Sequence, residues 1–163
     1  MESRIKDLLR AVAEEICVYR ELIEHARRKT ALLVQGSLAG ILESSREDES
    51  YNVRLRILES QVIRLCKDLC AELRIPFEEF TLLRLADGVG EPVATEIKSQ
   101  TSLFRNLVRQ LEVINQRNMR LIESSVRSSR GLLDFLANAT TSYQNSGMFR
   151  PVSVVPTTLS RQA

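Results

Sequence analysis

Residues 97–136, IKSQTSLFRNLVRQLEVINQRNMRLIESSVRSSRGLLDFL, decide the fold. The stretch holds no proline and a single glycine, Gly131. At about 100° per residue, Ile97, Phe104, Val108, Leu111, Ile122, Val126, Leu133 and Leu136 share one helical face. Leu103, Leu107, Ile114, Leu121 and Leu132 widen that face along one edge. An apolar arc of this width exceeds what a two-helix seam needs, so the helix requires two neighbours, or one neighbour and a later partner. Asn115, Asn118, Ser125 and Ser129 interrupt the stripe.

Upstream, two more long helices are expected. Ile5, Leu8, Leu9, Val12, Ile16, Tyr19, Ile23, Ala26 and Leu33 recur at steps of three and four, which predicts a helix over about 3–35 with Ser3 as its cap. Gln35-Gly36-Ser37 signals a tight turn, with Gly36 at positive φ and Ser37 capping the next helix. So short a connection makes the two helices antiparallel neighbours. The second helix, 38–73, carries Leu55, Leu58, Val62, Leu65, Cys66, Leu69 and Leu73 on its core side. Its middle, Glu43 to Asn52, is nearly all polar, and continuation of the helix through it is expected. Ile75-Pro76 ends it, because the residue before a proline is pushed out of the α region. Thr81 then caps a short connector helix over 82–86, closed by Asp87-Gly88. The third long helix spans 93–137. The fold expected is therefore all-α: a long antiparallel hairpin plus a third long helix in a coiled-coil-like bundle, 1–138. A flexible C-terminal tail, 139–163, follows, with Pro151, Pro156 and many Ser, Thr and Gln residues.

Composition narrows the function. Lys plus Arg number 23 against 21 Asp plus Glu, a net charge of +2, too balanced for a nucleic-acid binder. No apolar run reaches membrane-spanning length and the N-terminus lacks a signal-peptide core, so a cytoplasmic protein with no membrane insertion is expected. Cys17, Cys66 and Cys70 are an odd set without CxxC spacing and read as small apolar residues in a reducing compartment. No metal and no cofactor is expected. His25 is the only histidine, which excludes His-based metal sites and triads that need several histidines, and its place beside the stripe predicts a surface or edge residue rather than a catalytic base. Asp87-Gly88-Val89-Gly90 lacks the lysine and the strand context of a phosphate loop. The chain does not read as an enzyme.

The polar residues inside the stripe have two readings. Buried asparagines in coiled coils fix register at a cost in stability. Alternatively they mark a groove, part apolar and part hydrogen-bonding, that receives an amphipathic helix from another protein.

The layout resembles the FlgN family of flagellar export chaperones. The resemblance is carried by Leu111-Glu112-Val113-Ile114-Asn115-Gln116-Arg117-Asn118, then Leu121-Ile122-Glu123-Ser124-Ser125-Val126 and Leu132-Leu133, and by Ser142-Tyr143-Gln144-Asn145-Ser146-Gly147 near the end. It implies a cytoplasmic chaperone that holds hook–filament junction (hook-associated) proteins and delivers them to the flagellar type III export apparatus. It also implies partner-binding residues on the third helix, namely Leu111, Asn115, Asn118, Ile122, Ser125, Ser129, Leu132 and Leu136, with Tyr143 and Gly147 in the tail. Two alternatives stay open: a coiled-coil adaptor that self-associates through the wide stripe, and a chaperone of another type III secretion substrate.

Overall fold

The computed structural model describes the backbone of residues 1–144 and the side chains of residues 1–136. Four α-helices follow one another: α1 (Glu2–Gln35), α2 (Leu38–Leu73), α3 (Leu82–Asp87) and α4 (Val93–Gln144), with a 3-10 turn at Phe77–Glu79. No strand occurs among the described residues. The all-α class and the three long helices agree with the periodicity.

The turns show which local signals act. Gly36 adopts φ 68°, and the amides of Gly36 and Ser37 donate to the carbonyls of Leu33 and Leu32, so the chain reverses in two residues. Gly40 keeps α2 close to α1: a Cβ there would meet Leu32 Cδ2 at 2.7 Å. Thr81 caps α3 through its side chain, which accepts from the amide of Arg84 at 3.1 Å. Two expected caps do not form. Ser3 lies inside α1, whose first residue is Glu2, and Ser37 sits at the N-cap of α2 without a side-chain bond. α4 also continues past residue 137 to Gln144. Nothing in Asn138–Gln144 is glycine or proline, and polarity alone does not end a helix. Residues 145–163, most of the expected tail, lie outside the described residues.

Two compact units divide the chain, Met1–Ile122 and Glu123–Ala163. In the first, α1 and α2 form the antiparallel hairpin: Arg4 bonds Glu72 at 3.1 Å, Glu21 bonds Arg54 at 2.7 Å, and His25 bonds Asp48 at 2.8 Å. The α4 segment of this unit runs parallel to α1, with Tyr19 edge-on to Phe104 at 5.0 Å and Thr30 bonded to Asn118. Ile5, Leu8, Val12 and Ile16 of α1, Cys66 and Leu69 of α2, Leu85 of α3, and Ile97 and Leu107 of α4 make one core. Leu8, Leu69 and Ile97 are essentially sealed from water, each worth about 1.5–3 kcal/mol of apolar burial. The connector contributes Leu85 fully and Phe80 and Leu82 in part, whereas Phe77 stays 42% exposed beneath Lys67.

The second unit is described from Glu123 to Gln144, all of it α4. Its described side chains, Glu123 to Leu136, are exposed throughout.

Candidate functional site

The polar middle of α2 is helical and is met by polar residues of α1. His25 is 1% exposed, not a surface or edge residue. Its Nε2 donates to Asp48 Oδ1 at 2.8 Å, Ser44 Oγ lies 3.3 Å from the same nitrogen, and Nδ1 is 2.9 Å from Glu47 Oε2. Lys29 donates to the other oxygen of Asp48, and the Tyr51 ring lies 5.3 Å from the imidazole. Glu47 and Asp48 thus find cations and donors one helix away, which explains why a polar decade of α2 stays in the hairpin. Once the hairpin turn at Gly36 is set, antiparallel pairing brings His25 and Asp48 together. Among the described residues no group of His, Cys, Asp or Glu is placed to hold a metal ion.

Two groups of the first unit have altered acidity. Burial, and to a lesser degree the Glu59 carboxylate, pushes the Glu15 carboxyl up to about 7. Burial, with Cys70 as the lesser cause, pushes the Cys66 thiol up to about 11, consistent with an apolar rather than reactive cysteine.

The eight helix residues that the family resemblance pointed to separate by environment. Leu111 is half-buried against the core, and Asn118 is only 4% exposed. Both ends of the Asn118 amide are bonded inside the chain: Oδ1 accepts from Thr30 Oγ1 at 2.6 Å and Nδ2 donates to the Ala26 carbonyl at 3.0 Å. Of the stripe's two asparagines, Asn118 is the one buried against α1. Asn115, three residues earlier, is exposed and makes no such bond. Ile122, at the end of the first unit, is 38% exposed.

In the second unit Ser125 and Ser129 are exposed, Leu132 is 61% exposed and Leu136 50%. Val126 at 45%, Leu133 at 65% and Phe135 at 65% join them. Val126 and Leu133 belong to the stripe as read from sequence but are missing from the expected partner set; Phe135 lies on another side of the helix and has no periodic signal. Tyr143 lies within α4, but its side chain is outside the described residues, as is all of Gly147.

A helix that presents Val126, Leu133 and Leu136 in line, with Ser125 and Ser129 between them, offers apolar area and short hydroxyls and no chemistry beyond contact. Helices of the described residues are nowhere long and apolar enough to cross a membrane. Residues 1–150 match the model of the FlgN protein family, so the chain belongs to that family, whose members are flagellar export chaperones acting in flagellum assembly. No curated protein and no solved structure matches the chain.

Proposed function

We propose that this member of the FlgN family is a cytoplasmic chaperone of hook–filament junction (hook-associated) proteins. It binds their terminal amphipathic helical segments, prevents premature assembly and delivers them to the flagellar export apparatus. The observation that supports this reading is the exposure of Val126, Leu132, Leu133 and Leu136 on α4 at 45–65%. Apolar helical surface of this extent is stabilised by covering it with a complementary helix. Ser125 and Ser129 make the surface partly polar, which keeps affinity moderate, as a protein that must release its client requires.

Calorimetric titration of the full chain with C-terminal fragments of the two junction proteins from the same organism tests the proposal. Saturable one-to-one binding supports it. Absence of binding to either fragment, with self-association of the chain in the same cell, overturns it in favour of a coiled-coil adaptor. Binding only to a different type III substrate would keep the chaperone and replace its client.

A further inference from the structure

In the second unit, Val126 and Leu133 of α4 are 45% and 65% exposed. They are seven residues apart, two helical turns, so they stand on one line about 10.5 Å apart. Ser125, Ser129 and Leu132 share that side of the helix, and the line itself carries no charge. Glu123, Arg127, Arg130 and Asp134 lie on its flank, two of each sign, so charge on this surface selects no partner. Covalent continuity does select one.

Beyond Gln144 the chain runs on for nineteen residues, 145–163, assigned to the same compact unit. Their sequence opens on Asn145-Ser146-Gly147, three residues suited to a reversal of direction. Phe149, Val152, Val154 and Val155 follow, and Arg150 is the one charge from 145 to 160. Pro151 and Pro156 oppose a helix and push the residue before each of them toward extended backbone. In the polyproline II form that such a sequence favours, with three residues per turn, Phe149, Val152 and Val155 share one edge at steps of about 9.3 Å.

The spacings and the distances agree. Counting back from Gln144 at the helical rise, Leu133 is about 17 Å away and Val126 about 27 Å. Counting from a reversal at Gly147, Val152 is about 16 Å away and Val155 about 25 Å. A short tether also holds the segment at an effective concentration of order millimolar, so a contact too weak to form between separate molecules is populated within one.

We propose that residues 149–155 fold back along α4 and cover its apolar line, with Val152 against Leu133 and Val155 against Val126. The segment is then a built-in occupant that an incoming helix must displace. Its displacement by a client rests on the chaperone reading of this stripe; the folding-back does not.

The test uses the full chain with Ser153→benzoylphenylalanine, irradiated at low concentration and mapped by mass spectrometry. The expected product has the mass of one chain and joins residue 153 to the 123–136 stretch. A product of two chains overturns the proposal, because the occupant is then a second copy; so does a product confined to residues 1–122, or none. Val152→Ser with Val155→Ser should speed amide exchange over 126–133 at least about threefold and leave that of 8–16 in α1 unchanged. Unchanged exchange over 126–133 also overturns it. Junction-protein fragments should reduce the crosslink and bind the double-serine variant about tenfold more tightly than the parent, as expected if the stripe is free one-tenth of the time. If fragments bind neither chain while the crosslink and exchange results hold, the client assignment fails and the folding-back stands. Equal binding to both chains overturns the displacement.

Discussion

Asn118 of α4 and Thr30 of α1 are joined by a 2.6 Å hydrogen bond, and the other end of the same amide donates to the Ala26 carbonyl at 3.0 Å. A buried amide with both ends occupied fixes the axial position of one helix against its neighbour, since a slip of one residue leaves both ends unpaired. Asn118→Ala is therefore expected to destabilise the first unit by about 1–3 kcal/mol in urea unfolding. Asn115→Ala, at an exposed position, should stay within about 0.5 kcal/mol of the parent chain. Equal effects at the two positions would show that Asn118 does not hold the register.

The His25–Asp48 bond at 2.8 Å joins the polar middle of α2 to α1, and Lys29 shares the same carboxylate. A double-mutant cycle with His25→Ala and Asp48→Ala should give a coupling energy of about 1–3 kcal/mol, because the imidazole is sealed from water and Asp48 is only partly exposed. The same cycle on Arg4 and Glu72, whose 3.1 Å pair is half open to solvent, should give less than about 1 kcal/mol. Additive effects of His25→Ala and Asp48→Ala would mean that packing, not the bond, keeps this part of the hairpin together.

Glu15 makes stability depend on pH in a direction that can be stated in advance. Its folded-state value, about 7, lies above the ordinary 4.5 because burial disfavours the carboxylate. Between those values the folded chain keeps a proton that the unfolded chain has released. The stabilisation is thus complete below about 4.5 and is lost as pH rises through about 7. At about 1.36 kcal/mol per pH unit the loss amounts to about 3 kcal/mol. Glu15→Gln removes this titration, so its advantage over the parent chain should be near zero at pH 4.5, grow to about 3 kcal/mol, and level off above pH 7 to 8. Guanidinium unfolding of both chains at a series of pH values measures it; a constant difference would place Glu15 in a wetter setting.

Much of this fold was legible because its signals are local. The steps of three and four that bury Ile5, Leu8, Val12 and Ile16, the reversal at Gly36 and the cap at Thr81 each depend on a few neighbouring residues. Hydroxyls were less informative: Ser3 and Ser37 have the chemistry of caps, but helix starts also depend on how the chain enters. What was not legible depends on pairing across helices. His25 looks peripheral on its own helix and becomes central only with Asp48 opposite. Asn115 and Asn118 look alike as a pair in one stripe, and only the position of α1 makes one exposed and the other buried.

The same distinction decides which substitutions report on client binding. Leu111 packs against the core, so Leu111→Asp would lower the stability of the first unit and reduce binding by unfolding it. Val126 and Leu133 are 45% and 65% exposed within the second unit, and a charge there costs the folded chain little. Val126→Asp and Leu133→Asp should leave urea midpoints unchanged while weakening capture of junction-protein fragments at least about tenfold each, the effect of about 1.4 kcal/mol. Ser125→Ala, which removes a hydroxyl and keeps the apolar line, should change affinity by less than about threefold. Retained capture in the Val126→Asp, Leu133→Asp double variant, with the chain still folded, would remove this part of α4 from the client-binding surface. Loss of capture with unchanged midpoints is the outcome that the exposed stripe leads us to expect.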